Sequence, residues 1–170
     1  MNYFELFNIP VSLSPNQQQL KQKFYELSRK YHPDFYTRET DFEQSEALEK
    51  SSLVNKAYKT FKNRDEIIKY ILQQKGLLQE EEKFQLPPDF LMEVMELNEQ
   101  LMEAKMEDDD AALSSTKSSI ASLQKQIYEP VESLIENYND ETVKPEELQL
   151  LKEYYFKKKY LDRILATIQS

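Results

Sequence analysis

The chain has 170 residues, 39% of them apolar and 31% charged, with a net charge of −9 and no cysteine. That composition belongs to a folded chain of one usual domain or two small ones, and it excludes disulfides, thiolate metal sites and cysteine nucleophiles. Gly76 is the only glycine, so turns that need positive φ have few places to form and the fold class expected is all-α.

Tyr3 to Phe7 is a short apolar cluster ended by Pro10. Ser14-Pro15 reads as a helix start, with Ser as N-cap and Pro at the first helical position. Leu20, Phe24, Leu27 and Tyr31 then recur at helical spacing on one face, and Pro33 stops the helix. Residues 32–40 show no period and read as a loop. A second helix runs through Leu48, Val54, Tyr58 and Phe61. A shorter one holds Ile67, Ile68, Ile71 and Leu72 and ends at Gly76 as its C′ residue. Glu80-Glu81-Glu82-Lys83 reads as a solvated linker. Pro87-Pro88 opens a second module with a helix from Phe90 to Met106 and an acidic break at Asp108-Asp109-Asp110. A long pattern through Leu113, Ile120, Leu123, Ile127, Val131, Leu134 and Tyr138 should kink at Pro130. After a turn at Asn139-Asp140, the last helix starts at Pro145 and continues through Leu148, Leu151, Tyr154, Leu161, Leu165 and Ile168. Three antiparallel helices with short joins make a small bundle.

Charge divides the two modules. Residues 1–76 hold 12 Lys+Arg and 10 Asp+Glu, a net +2, and the remainder holds 10 and 21, a net −11. An acidic chain is a poor ligand for a phosphate backbone, so no nucleic acid is expected. No apolar run is long enough to cross a bilayer, and Met1-Asn2-Tyr3-Phe4-Glu5 lacks the order of a secretory signal. A cytoplasmic location and no membrane association are the expectation.

His32-Pro33-Asp34 contains the only histidine. A lone histidine at a helix end is usually a partner for the helix dipole. A His–Asp acid–base pair is the chemical alternative. No Ser or Cys nucleophile is marked nearby and no second histidine could complete a metal site, so no catalytic residue, metal or cofactor is assigned. The context is more specific than the tripeptide. It lies between an amphipathic helix ending in Tyr31 and a second helix carrying Asn55-Lys56-Ala57-Tyr58 and Phe61, after an opening Asn2-Tyr3-Phe4-Glu5-Leu6-Phe7. This order resembles the J domain. The resemblance implies that His32, Pro33 and Asp34, with Lys21, Lys23, Arg29 and Lys30 on the preceding helix, contact an ATPase chaperone and stimulate its hydrolysis. Glu26 interrupts that basic face.

The helix from Phe90 carries two apolar stripes. Phe90, Val94, Leu97 and Leu101 suit a bundle core. Leu91, Met92, Met95, Met102 and Met106 fall on another flank bordered by Glu96, Glu99 and Glu103. Flexible methionines edged by acids suit a protein-binding surface; the bland reading is that the bundle covers them. On the last helix, Phe156 and Tyr160 project away from the core stripe.

Over essentially its full length the chain resembles the HscB family, the J-domain co-chaperones of iron–sulfur cluster assembly. The matching segments are the opening, Tyr31-His32-Pro33-Asp34, Tyr70 through Gly76, Phe90-Leu91-Met92-Glu93, Glu96-Leu97, Asn139-Asp140-Glu141-Thr142 and Tyr160-Leu161-Asp162. Lys62-Asn63-Arg64-Asp65 departs from the pattern. The glycine-rich linker and zinc region of most J proteins are missing, as is the zinc-binding N-terminal extension of animal relatives, which favours a bacterial type. The resemblance implies a J domain over 1–76, a linker over 77–83 and a three-helix client-binding domain over 84–170. It implies a non-enzymatic co-chaperone, monomeric alone, with an HscA/DnaK-type chaperone and the scaffold protein IscU as partners. The scaffold face is then Leu91, Met92, Met95, Glu96, Glu99, Glu103 and Tyr160. A J protein with another client and a plain helical adaptor are the rival readings.

Overall fold

The computed structural model describes residues 1–169, with side chains placed as far as Ala166. All regular structure among them is helical: α1 (Tyr3–Leu6), α2 (Gln17–Lys30), a 3₁₀ turn (Pro33–Tyr36), α3 (Asp41–Phe61), α4 (Arg64–Gln74), α5 (Pro88–Met106), α6 (Asp110–Tyr128), a second 3₁₀ turn (Glu129–Val131), α7 (Glu132–Glu136) and α8 (Pro145–Gln169). The chain forms two compact units. One comprises residues 1–71 and 138–142, the other residues 72–137 and the described residues from 143 onward.

Scarce glycine does not leave the helices without stops. Three of them end in a Schellman cap, in which a residue with positive φ lets its own amide and the next one reach back to orphaned carbonyls. Gly76 (φ 71°) fills this position after α4; its N–H donates to Gln73 O, and that of Leu77 donates to Leu72 O. Asn8 (φ 50°) does the same for α1 and Asp108 (φ 51°) for α5. Both are residue types that tolerate the left-handed region. Asp109, next in the acidic break, caps α6 by accepting from Ala112 N–H.

In the first unit α2 packs on α3 as an antiparallel hairpin. Leu20, Val54 and Ala57 are buried between them, and Phe24 meets Tyr58 with ring centroids 4.1 Å apart. α1 closes one end. Phe4 and Phe7 each lie 5.1 Å from the Phe61 ring, and Tyr3 stacks on Tyr70 at 4.3 Å. Tyr3 N–H donates to the Tyr70 hydroxyl. Burial pushes that hydroxyl above its ordinary pKa. In the second unit α5, α6 and α8 pack mutually around Val94, Leu101, Leu123, Val131, Ile135, Leu151 and Leu161.

Four sequence expectations are corrected. α2 starts two residues late, because the Asn16 side chain, not that of Ser14, accepts from the Gln19 amide. The core face of α3 runs through Ala47, Val54 and Phe61, at a heptad spacing; Leu48, one residue out of phase, is exposed. Pro130 does break the long helix, and the 3₁₀ turn it causes changes the phase, so Ile135 is fully buried in place of the half-buried Leu134. Glu82 is not a solvated linker residue: its carboxylate lies 2.7 Å from Lys152 Nζ, which holds its pKa below the usual value, and Phe84 stacks on Phe156 at 4.7 Å. The Ile168 side chain falls outside the described residues.

Candidate functional sites

The first site is the loop between α2 and α3. Proline has no amide hydrogen and fixes φ, so Pro33 ends α2 and starts the 3₁₀ turn. His32 is the N-cap of that turn, its Nδ1 accepting from the Asp34 amide at 3.3 Å. Nδ1 also stands 3.7 Å from Asp34 Oδ2, with the His and Asp side chains 54% and 84% exposed. At those distances the two groups are loosely held and open to a partner. Phe35 packs edge-on to the imidazole, 6.2 Å between centroids, and is itself exposed.

Residues outside the tripeptide fix the loop. The Tyr36 hydroxyl donates to Lys30 O, satisfying a carbonyl orphaned at the end of α2. Lys30 and Lys50 Nζ lie 5.2 and 5.3 Å from the centre of the Tyr31 ring, cation–π contacts that tie α2 to α3. Thr40 and Glu43 form a capping box at the start of α3. Of these, the Thr-x-x-Glu pattern was visible in the sequence; the roles of Tyr36 and Lys50 needed the fold. Beside the loop is a pocket of about 230 Å³ lined by Tyr31, Tyr36, Glu39, Glu43, Glu46 and Lys50, among others. A hydrogen bond to Glu43 holds the Glu39 carboxyl above its ordinary pKa; the same bond and the Thr40 amide hold that of Glu43 below it.

The basic residues of α2 do not form a narrow stripe. At about 100° per residue, Lys21, Arg29, Lys30 and Lys23 spread over roughly 200° of the helix surface facing away from Leu20 and Leu27. Glu26 lies among them, and Lys23 is half-buried.

The second site is the outward face of α5. Phe90, Val94, Leu97, Leu101 and Ala104 are buried. On the opposite side Met92, Met95, Met102 and Met106 are 61%, 56%, 50% and 83% exposed, beside the exposed carboxylates of Glu96, Glu99 and Glu103. Leu91 is half-buried. The bland reading, in which the bundle covers the methionines, does not hold. Tyr160 of α8 is half-buried and meets Phe90 edge-on, 6.3 Å between centroids. Arg163 lies over the other ring system of this pair, 5.5 Å from the centre of Tyr160. The ring of Tyr160 is thereby held at the N-terminal end of α5, against Phe90.

Two family models match the chain. The model of the DnaJ domain matches residues 2–70, and that of the HSCB C-terminal oligomerisation domain matches residues 86–169. The co-chaperone protein HscB homolog of Colwellia psychrerythraea is 37% identical over 142 residues, 82% of this chain and 81% of that one. The chain belongs to the HscB family of J-domain co-chaperones. The HscB homolog of Vibrio vulnificus is 34% identical over 128 residues, 74% of this chain and 75% of that one. The crystal structure of human co-chaperone protein HscB superposes with a TM-score of 0.78 at 28% identity, covering 99% of this chain and 81% of that one. The chaperone HscB from Vibrio cholerae shares the fold, with a TM-score of 0.74 at 24% identity, over 99% of this chain and 96% of that one. For an HscB-family J protein the partner class is an Hsp70-type chaperone. No helix among the described residues is long and apolar enough to cross a membrane.

Proposed function

We propose that the chain stimulates the ATPase of an HscA/DnaK-type chaperone and delivers the iron–sulfur scaffold protein IscU to it. The J domain spans 1–76, a connecting segment 77–83 and the client-binding domain 84–170. The observation that carries this reading is the exposure of His32 and Asp34 on a turn whose shape is maintained by Tyr31, Tyr36 and Thr40. Their polar groups are available to a partner because the loop holds them only by one long hydrogen bond and a 3.7 Å approach. Pro33 keeps the turn short, and Lys21, Lys23, Arg29 and Lys30 speed encounter with an acidic surface.

The client face comprises Leu91, Met92, Met95, Glu96, Glu99, Glu103 and Tyr160. Methionine side chains are flexible and polarizable and adapt to a partner's contour, while the three glutamates select a basic rim. Carrying the client and the J loop on one chain raises the effective concentration of the client at the chaperone. The chain itself performs no bond chemistry in this scheme. The test is chaperone ATP turnover measured with this protein, with the scaffold, and with both. Stimulation by this protein, enhanced when the scaffold is added, is the expected result; no stimulation in either case refutes the reading.

A further inference from the structure

The four exposed methionines of α5 have a second property. They are all the methionines of the chain except Met1, and there is no cysteine. Oxidants that would ordinarily be consumed by thiolates find no thiol here, and the accessible thioethers are the oxidisable sulfurs. At about 100° per residue, Met92, Met95, Met102 and Met106 fall within an arc of about 80°. From first to last they span about 21 Å of helix axis. They lie on the side of α5 away from the buried Val94 and Leu101.

We infer that this methionine ridge is an oxidation-sensitive modification site, and that its conversion to methionine sulfoxide releases the scaffold. The inference rests on the reading of α5 as the scaffold-binding face. The oxidant is hydrogen peroxide. A sulfur lone pair attacks one peroxide oxygen; the S–O bond forms as the O–O bond breaks, and the departing hydroxide takes up the remaining peroxide proton and leaves as water. Sulfur loses two electrons and the peroxide gains them. The flexible apolar side chain becomes a polar one with a strong acceptor oxygen. Buried against a partner, that oxygen costs free energy unless a donor meets it. The flanking Glu96, Glu99 and Glu103 are acceptors when ionised and supply none. Because all four side chains are at least half exposed in the free protein, the fold itself is insensitive to the change.

The experiment treats this protein with hydrogen peroxide, removes the excess with catalase, maps the added oxygen atoms by peptide mass and titrates the IscU scaffold calorimetrically. A variant with Met92, Met95, Met102 and Met106 all changed to Leu runs in parallel. Oxygen should add at the four α5 positions, the melting temperature should hold, and scaffold affinity should fall at least tenfold. Methionine sulfoxide reductases acting on both epimers should restore it, and the affinity of the leucine variant, whatever its starting value, should not change on peroxide treatment. If untreated protein does not bind the scaffold, the assignment of this face falls and takes the inference with it. If untreated protein binds and the fully oxidised ridge binds equally well, only the inference is overturned. It is likewise overturned if the leucine variant loses affinity after peroxide, since the sensitive group is then elsewhere.

Discussion

Replacing Met92 and Met95 together by Ala separates a binding surface from a packing layer. Both side chains keep more than half of their surface exposed, so truncation removes little buried area, and exposed substitutions usually change stability by about 0.5 kcal/mol or less each. The pair should cost about 1 kcal/mol at most. Leu101, 4% exposed on the opposite side of α5, is the internal reference: Leu101→Ala alone should cost about 2–5 kcal/mol through lost burial and the cavity left behind. Adding Leu91→Ala to the methionine pair should add about 1 kcal/mol, because Leu91 is half-buried and burying a whole leucine is worth about 1.5–3 kcal/mol. The order reverses for the scaffold. A few apolar anchors dominate a typical interface, each worth about 2 kcal/mol or more, so truncating the methionine pair should weaken scaffold binding by roughly 30-fold or more even if only one of the two is an anchor. Thermal or denaturant unfolding of the three variants, alongside calorimetric titration with the scaffold, gives both numbers. A methionine double variant as unstable as Leu101→Ala would mean these side chains are structural. A stable one that binds normally would place the client elsewhere.

His32→Gln and Asp34→Asn should each abolish stimulation of the chaperone ATPase while leaving helicity and melting nearly unchanged, as both side chains are largely exposed; full stimulation by both removes the J-loop assignment. Reversing Lys21 and Lys23 to Glu should slow association with the chaperone, with a defect that shrinks as salt is added; stopped-flow binding at several ionic strengths reads it, and a defect independent of salt contradicts it. Thr40→Ala removes the side chain that accepts from the Glu43 amide and should cost about 0.5–2 kcal/mol, read by unfolding of the variant against the parent. The Glu82 carboxyl is held below its ordinary value of 4.5 by Lys152. Its contribution is therefore present in full above that value and is lost as pH falls through the lowered one. Melting followed from neutral to acid pH should lose this component in the parent, while Lys152→Met, which never had it, shows a shallower acid dependence; parallel curves would dismiss the pair.

The helices were legible because each carries its own periodic stripe and local stop signals. Gly76, Pro33, Pro145 and the acidic break at 108–110 fall where the backbone changes direction. What escaped was set by phase and by competition. Two small polar residues, Ser14 and Asn16, both suit an N-cap, and only the geometry after Pro15 decides for Asn16. Leu48 is the larger apolar residue, yet Ala47 lies in register with Val54 and Phe61; burial followed helical phase, not side-chain size. The tripeptide and the methionine flank were readable as residues. The contacts that shape the loop, from Tyr36 to Lys30 and from Lys50 to Tyr31, join positions with no sequence signature.

Those unreadable contacts explain how a short polar motif can be both exposed and ordered. An isolated loop that displays His and Asp to solvent gains nothing from holding them still, and would pay the conformational entropy of ordering them. Here the ordering comes from elsewhere. The end of α2 is closed by the Tyr36 hydroxyl, Tyr31 lies within cation–π reach of two lysines, and α3 begins at a reciprocal cap. Proline removes further freedom at the centre of the motif. A long bond from the Asp34 amide, the edge of Phe35 and the Asp34 carboxylate at 3.7 Å are what restrain the imidazole, so a partner can replace them at little cost. The α5 face follows the same division of labour: Val94, Leu97 and Leu101 fix the helix, and the opposite side carries groups the fold does not use. In both units most of the residues that hold the site in place differ from the residues offered at it, with Lys30 and Pro33 serving both roles in the loop. That separation predicts that substitutions at the offered groups change function with little effect on folding.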